Sequence, residues 1–262
     1  FRLIRTAALE LPEGGAMLSS TLEHPASMSA MKKWAKNTQR NHIIVEHNDD
    51  SGSVDEQAYI KKLTSDVRIV SIVHTSPVTG MTVDLEKITK EVRNVTPDCI
   101  IIVDGIQHSS HGAIDVQKYD IDGYVVSPYK MFSRHGYGVA WASERLCSLN
   151  KEQLADGPFQ NWELGTRDAG SYATFSDVVD YLDWLGSNFT ESENTRERLE
   201  ASSIAIKSHE QELVDLVING AEDIVGLRNN KKIRIIGNSA STSREGVCLL
   251  YTSPSPRDRV RS

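Results

Sequence analysis

The segment Cys99–Val103, with the sequence Cys-Ile-Ile-Ile-Val, is the feature that most constrains the fold. A short run of this kind, almost wholly apolar, is typical of a strand buried on both faces in a parallel sheet. Other β-type runs occur on either side of it, at Ala16–Thr21, His42–Glu46, Val67–Val73, Tyr124–Val126 and Val139–Trp141. The chain is therefore expected to build a sheet with a wholly buried centre.

Helical patterns alternate with these runs. Met28, Met31 and Trp34 recur at helical spacing, and Asp84–Val95 carries apolar residues at intervals of three and four, with Asp84 as its predicted N-cap. Strands that alternate with helices predict an open, largely parallel α/β sheet. Such sheets bind ligands at the carboxyl ends of their strands, so polar residues at those ends are the first candidates for a functional site.

The pattern changes after residue 165. Thr174-x-x-Asp177 resembles a capping box and predicts the start of a helix, and a second long helix is predicted over Thr195–Ile218. Lys232–Ile236 then predicts a strand of a second, smaller domain. We divide the chain into a large domain (1–170), linking helices (171–230), the start of a truncated C-terminal domain (231–249) and a tail that resembles non-native sequence (250–262).

Composition and charge narrow the class of ligand. The 262 residues include 29 Lys and Arg against 36 Asp and Glu, a formal net charge of −7, which argues against a nucleic acid or an anionic membrane as partner. No apolar run approaches the roughly 18 residues that a membrane span needs. Cys99, Cys147 and Cys248 form no CxxC pair, which favours free thiols in a reducing compartment. We expect a cytoplasmic protein that binds a small molecule.

Polar residues follow two of the predicted strands. Asp104 comes directly after Cys99–Val103, with Gly105 to permit a tight turn and Gln107 behind it. Ser127-Pro-Tyr-Lys130 follows the short strand Tyr124–Val126. Both groups lie at the predicted ligand-binding edge. A lone aspartate there is as readily a turn former, and a lone lysine is usually solvated, so these residues alone leave a structural role open.

Five segments in order carry a resemblance to a known family. They are Glu23-His24-Pro-Ala26, Ser76-Pro-Val-Thr-Gly80, Val103-Asp-Gly-Ile-Gln107 with Ile114-Asp-Val116, Ser127-Pro-Tyr-Lys130 with the glycines behind it, and Glu163-Leu-Gly-Thr166. Together they resemble the class V aminotransferase family, pyridoxal-phosphate enzymes of fold type I that include cysteine desulfurases and selenocysteine lyases. The resemblance implies a three-layer α/β/α large domain with a mostly parallel sheet, and the start of a small α+β C-terminal domain.

The resemblance also implies roles for single residues. Lys130 would carry the aldehyde of pyridoxal 5'-phosphate as a Schiff base and later move the α-proton of the substrate. Asp104 would face the pyridine nitrogen and keep it protonated, so that the ring acts as an electron sink. Gln107 would donate to the phenolate oxygen of the ring. His24 would stack over the ring face and take part in proton transfer.

The phosphate of the cofactor would be held by Ser127, and Thr166 would reach the phosphate of the neighbouring subunit. The resemblance thus implies a homodimer with shared active sites and a small amino-acid substrate. The sequence departs from the family pattern at Pro77, where the family has Asn, and at Tyr129, where desulfurases have His. The phosphate-binding turn would precede Phe1, and the substrate-binding arginine and nucleophilic cysteine would belong to the C-terminal domain, so we expect a fragment that lacks both ends.

These departures leave the reaction open. The leading expectation is a cysteine desulfurase-like or selenocysteine lyase-like reaction. The first alternative is a class V aminotransferase or amino-acid epimerase, and the second is a non-catalytic or inactive fragment that only folds and dimerises.

Three further patterns are expected to carry no chemistry. Asp104-x3-His108-x2-His111 imitates a metal cluster without a clear geometry, so we predict no metal and a structural role for His111. Cys248 lies too early in the chain for the desulfurase nucleophile. Ser127-x-x-Lys130 matches the serine acylase pattern, but the partner motifs of that class do not occur in the sequence.

Overall fold

The computed structural model describes residues 1–159, 161–237 and 244–247. Its centre is a six-stranded sheet, made of β1 (Ala16–Ser20), β2 (Asn41–Val45), β3 (Val67–Val73), β4 (Ile100–Asp104), β5 (Gly123–Val126) and β6 (Val139–Ala142). The strand order across the sheet is β2-β1-β3-β4-β5-β6. Each strand begins and ends within one residue of a run predicted from the sequence, so these strand predictions are confirmed.

Strands β1 to β5 run parallel, and the edge strand β6 is antiparallel to β5. In the centre of the sheet Ile69 pairs with Ile100, and Ile102 pairs with Gly123. The predicted mostly parallel sheet is confirmed. Because parallel strands end at the same edge, the residues that follow β1, β3, β4 and β5 meet there.

Helices cover both faces of the sheet. They are α1 (Arg2–Glu10), α2 (Pro25–Asn37), α3 (Glu56–Ile60), α4 (Leu85–Val95) and α5 (Glu144–Cys147). Helices α1 and α2 pack on one face with Met17 and Ile100, and α3 and α4 pack on the other face with Leu18 and Ile101. Successive strand residues point to opposite faces, so one apolar strand supplies both layers. The predicted three-layer architecture is confirmed.

Helix α4 shows how the sequence fixes local structure. Its buried residues Leu85, Ile88 and Val92 recur at intervals of three and four. The Asp84 side chain accepts a hydrogen bond from the backbone nitrogen of Lys87 at 3.1 Å, which satisfies one of the N–H groups that the first turn of a helix leaves unpaired. The predicted helix and its N-cap are both confirmed.

Two long helices follow the sheet, α6 (Ala169–Gly186) and α7 (Thr195–Asn219). The prediction of α7 is confirmed, but the predicted start of α6 is wrong. The N-cap is Asp168, which accepts a hydrogen bond from the backbone nitrogen of Gly170. Thr174 lies inside the helix, and its hydroxyl donates to the carbonyl oxygen of Ser171. A threonine that bonds to the helix backbone in this way imitates a cap in the sequence without starting the helix.

The chain after α7 differs from the prediction. Gly220–Ala221 and Ile224–Val225 form a short antiparallel hairpin, β7 and β8, that is not among the predicted strands. Lys232–Ile236 forms no strand, because its alternating pattern has no strand beside it among the described residues. Residues 238–243 and 248–262 lie outside the described residues, and the predicted domain boundaries stay predictions. Within the described ranges, no helix has the length and apolarity to cross a membrane.

Candidate active site

Asp104 lies at the carboxyl edge of the sheet as the last residue of β4, whereas the sequence placed it just beyond the strand. Its carboxyl group is buried. Oδ2 accepts a hydrogen bond from the Ser27 hydroxyl at 2.7 Å, and Oδ1 accepts one from the backbone nitrogen of Ile106 at 3.2 Å. A carboxylate has about four acceptor positions, so Asp104 is held in place with capacity for a further donor.

Lys130 reaches the same edge from β5. Pro128–Lys130 forms a single 3-10 turn, in which the Lys130 backbone nitrogen donates to the Ser127 carbonyl oxygen at 3.0 Å. The half-buried side chain extends to the loop after β4, where Nζ donates to Gln107 Oε1 at 2.7 Å. The structure thus brings together two predicted site residues from neighbouring strands.

His24 begins α2, the helix that follows β1. Its Nδ1 accepts a hydrogen bond from the backbone nitrogen of Ala26 at 3.1 Å, so the imidazole is the N-cap, and Pro25 occupies the first helical position. Ser27 in the same turn donates to Asp104, which ties the start of α2 to the end of β4. The ring is exposed, and because Nδ1 accepts the capping bond, the neutral imidazole carries its hydrogen on Nε2.

Ser127 and Thr166, the two residues predicted to bind phosphate, lie in different parts of the structure. Ser127 precedes the turn that carries Lys130, and its side chain makes no capping hydrogen bond there. Thr166 lies in an exposed segment before α6. Within the described part of the chain, Thr166 makes no hydrogen bond to another predicted site residue, and its role at a neighbouring subunit stays a prediction.

Gln107 has a second partner, His111. The Nε2 atoms of Gln107 and His111 lie 3.0 Å apart. On its other side, His111 Nδ1 lies 2.9 and 2.7 Å from the two carboxylate oxygens of Glu210 on α7. Burial disfavours the charged imidazole, but the hydrogen bond and the charge of Glu210 outweigh it and raise the pKa of His111. His111 therefore joins the loop after β4 to α7, in keeping with the structural role expected for it.

A buried carboxyl group near Asp104, Glu23, received no role from the sequence. It accepts hydrogen bonds from the hydroxyls of Ser20 and Ser71 and from the backbone nitrogen of Val73, at 3.2, 3.0 and 2.9 Å. Burial raises the pKa of Glu23 to about 7, the charge of Asp104 adds to the rise, and the three hydrogen bonds oppose it. Only the pairing of β1 with β3 reveals this site, because Ser71 and Val73 are 48 and 50 positions away in the chain.

A second buried network, also missed from the sequence, lies behind the loop after β4. His74 and His108 stack with their ring centroids 3.7 Å apart. His74 Nδ1 lies 2.8 Å from the Tyr124 hydroxyl, and His108 Nδ1 contacts Glu245. Burial, then the neighbouring charges of His108 and Lys207, lowers the pKa of His74 well below its ordinary value. The network anchors the loop that carries Gln107 through groups remote from it in sequence.

Gly105 is required for a reason other than the predicted tight turn. A Cβ atom at this position would lie 2.1 Å from Cε1 of Tyr124. The backbone of Gly105 is not in the left-handed region, so the packing of the Tyr124 ring, rather than the turn itself, demands glycine.

The three residues of the metal-like pattern Asp104-x3-His108-x2-His111 do not face one common site. His108 pairs with Glu245, whereas His111 pairs with Glu210. Among the residues that the structure describes, no group of three or more His, Cys, Asp or Glu side chains could hold a metal ion.

The structure bears on the serine acylase pattern but does not describe Cys248. The acylase pattern needs its serine at the start of a helix, whereas Ser127 precedes a 3-10 turn of three residues. Cys248, for which the sequence predicts no nucleophilic role, lies outside the described residues.

Comparison with known proteins identifies the family. The family model described as aminotransferase class-V matches residues 2–201, more than half of the 262 residues. The chain belongs to the class V aminotransferase family. The resemblance stated from the five segments is therefore confirmed.

Relatives within this family carry related names. A probable cysteine desulfurase from Mycoplasma genitalium is 29% identical over 129 residues, which are 49% of this chain and 31% of that protein. Probable cysteine desulfurase 2 from Mycobacterium leprae is 23% identical over 249 residues, covering 88% of this chain and 52% of that protein. The chain spans about half or less of the length of these curated relatives.

The fold of this class V chain matches solved structures. A crystal structure of a cysteine desulfurase from Escherichia coli has a TM-score of 0.67 and 22% identity, and the match covers 82% of this chain and 53% of that chain. At this identity the likeness shows the shared α/β fold.

Class V aminotransferases are pyridoxal-phosphate enzymes, and the side chains at the sheet edge fit that cofactor. Lys130 supplies a primary amine for its aldehyde. Asp104 is a buried carboxyl group with remaining acceptor capacity for a pyridine N–H. The amide nitrogen of Gln107 has two hydrogens, of which His111 takes one, so one remains for an oxygen of the ring.

Proposed function

We propose that this protein is a pyridoxal-phosphate enzyme that acts on an amino acid through Lys130, and that its leading reaction is the removal of sulfur or selenium from a cysteine-type substrate. The observation that carries the proposal is the hydrogen bond of Lys130 Nζ to Gln107 Oε1, 2.7 Å long, at the edge where Asp104 ends β4. The names of the relatives, cysteine desulfurases, support the reaction class.

The cofactor would supply an electron sink for charge that develops at the α-carbon of the substrate. Lys130 would bind the aldehyde and move the α-proton, and the backbone hydrogen bond that closes its turn fixes the point from which its side chain extends. Asp104 would keep a proton on the ring nitrogen, and its buried carboxyl group is fixed by the hydrogen bond from Ser27. His24 would cover the ring face and take part in proton transfer.

The remaining sequence-derived roles concern binding. Gln107 donates the second hydrogen of its amide nitrogen to the ring oxygen. Ser127 binds the phosphate, supported by its position directly before the turn of Lys130 and by a hydroxyl that the turn itself does not use. Thr166 binds the phosphate of a partner subunit, supported by its exposure.

A homodimer with shared active sites is part of the proposal. Helix α6 and the loop after it expose large aromatic side chains, with Trp184 60% and Phe189 58% exposed. Extended exposed apolar surfaces mark interaction sites in soluble proteins. The cytoplasmic location expected from the sequence stays a prediction.

A class V aminotransferase reaction is the second candidate, because the matching family model is itself one of aminotransferases. Release of sulfide from cysteine supports the leading reaction, whereas formation of a keto acid with transfer of the amino group supports the second.

The variant Lys130→Ala tests the cofactor assignment. Added pyridoxal phosphate is expected to give the parent protein an absorbance band at roughly 410–430 nm, the region of the cofactor–lysine linkage, and the variant is expected to lose it. Lys118→Ala removes an exposed lysine from the loop that follows β4 and is expected to keep the band. Circular dichroism verifies that both variants fold. A parent protein without the band, or a Lys130→Ala variant that keeps it, would overturn the proposal.

A further inference from the structure

Helix α7 is linked to Lys130 by a line of hydrogen bonds that the proposed reaction does not itself require. The line runs from the Glu210 carboxylate to the His111 imidazole, then to the Gln107 amide, and ends at the Lys130 amine. Its three contacts measure 2.7, 3.0 and 2.7 Å. Glu210 is 99 positions from His111, so only the packing of α7 against the sheet creates this line.

The chemistry of the four groups gives the line one direction. A carboxylate only accepts hydrogen bonds, so the proton between Glu210 and His111 belongs to Nδ1. In a neutral imidazole Nε2 is then a bare acceptor, and it receives a hydrogen from the amide nitrogen of Gln107. That orientation turns the amide oxygen of Gln107 toward the ammonium group of Lys130, which can only donate.

We propose that His111 is a positioning residue that fixes the orientation of the Gln107 amide, and that protonation of His111 reverses this orientation. A doubly protonated imidazole donates from both nitrogens, so its Nε2–H would meet the N–H of the amide. Rotation of the amide by half a turn restores the bond to His111. It also places the amide nitrogen against Lys130, where two donors oppose each other.

The charges around His111 set the pH at which this reversal occurs. Glu210 on α7 faces it directly, Glu245 faces it from segment 244–247, and Lys130 faces it from the turn after β5. Burial and Lys130 disfavour the charged imidazole, whereas the two carboxylates favour it, and the outcome is a raised pKa of His111. The switch therefore acts as the pH falls, and it leaves Lys130 paired with the amide oxygen at alkaline pH.

Nuclear magnetic resonance of the cofactor-free protein tests the inference directly. With 15N-labelled histidine and glutamine, His111 is expected to carry its proton on Nδ1 at alkaline pH. The side-chain amide signals of Gln107 are expected to shift with the same pH midpoint as His111. Glu210→Gln is expected to move that midpoint to lower pH. Glu212→Gln removes the same charge from an exposed position of α7 and is expected to leave it unchanged.

The variant His111→Gln supplies a second arm. Its side-chain oxygen accepts from Gln107 but does not titrate, so the Gln107 signals are expected to keep their alkaline positions across the pH range. A proton on Nε2 of His111, or Gln107 signals that ignore the titration of His111, would overturn the inference.

The role in the enzyme rests on the proposed function, and a cofactor arm separates the two. The band at roughly 410–430 nm is expected to change with the His111 midpoint in the parent protein and to lose this dependence in His111→Gln. If no band forms, the proposed function fails while the resonance arm still decides the inference. If the band forms but shows no dependence on His111, the role of His111 in the enzyme is overturned, and the resonance arm still decides the orientation of the amide.

Discussion

The parallel sheet and the pair of helices α6 and α7 bury their residues to very different extents. All five residues of β4 are buried, and six of the seven in β3. In contrast, the buried residues of α6 are Ser171, Val178 and Gly186, and those of α7 are Ser202 and Ile218. Both regions are regular and hydrogen-bonded, so the difference lies in tertiary packing rather than in secondary structure.

This contrast explains where a site can be built. A carboxyl group or an amine is held in one orientation only where neighbouring elements enclose it, as Ser27 and Ile106 hold Asp104. The exposed aromatic residues of α6 are instead available for a partner. The sheet edge therefore carries the candidate chemistry, and the helix pair reaches it through the contact of Glu210 with His111.

The largest expected effect comes from removing a core side chain of the sheet. Ile101 is fully buried, whereas Ile204 on α7 is 67% exposed. Ile101→Ala is expected to lower the free energy of unfolding by about 2–5 kcal/mol, because it removes buried apolar atoms and leaves a cavity. Ile204→Ala is expected to change it by less than about 0.5 kcal/mol. Urea denaturation measures both, and equal losses would break the comparison.

A buried carboxyl group should make the stability of the sheet depend on pH. The pKa of Glu23 is raised in the fold to about 7, from 4.5 in the unfolded chain. Its stabilising contribution is therefore full below pH 4.5 and is lost as the pH rises through about 7. Relative to Glu23→Gln, the parent protein is expected to lose about 3 kcal/mol across this window.

Urea midpoints of both proteins at about pH 5 and about pH 8 measure this difference. Glu212→Gln removes a carboxylate from the exposed side of α7 and is expected to show no such change relative to the parent protein. A flat difference between the parent and Glu23→Gln would mean that Glu23 is ionised as readily in the fold as in the unfolded chain.

The smallest of the three expected effects is the difference in stability between alanine substitutions at two glycines, Gly105 and Gly165. A Cβ at position 105 would lie 2.1 Å from the ring of Tyr124, whereas one at position 165 would meet nothing within 4 Å. Gly105→Ala is expected to cost about 1–3 kcal/mol through overpacking, and Gly165→Ala is expected to be close to neutral. Thermal unfolding compares them, and a neutral Gly105→Ala would show that the Tyr124 ring can move aside at little cost.

Much of the sheet could be predicted from the sequence because a buried strand requires a continuous run of apolar residues, which is visible in the local sequence. Val67–Val73 was predicted with the bounds that β3 has, and the polar residues after β4 and β5 were placed at the correct edge. The start of α6 was missed, since the hydroxyl of Thr174 imitates a cap while Asp168 is the actual one. A local sequence pattern shows which hydrogen bonds a side chain is able to make, but it does not show which partner the side chain has in the fold.

The sequence by itself determined the order of strands and helices, the family to which the chain is similar, and the identity of Lys130, Asp104, Gln107 and His24 as candidates. Only the tertiary structure decided how these groups are held. Glu210 reaches His111 across 99 positions, and Glu23 is enclosed by residues of β3 that lie 48 and 50 positions away. Burial and hydrogen-bond partners depend on packing between distant segments, and together they orient the groups at the candidate site and raise the pKa of Glu23 and of His111.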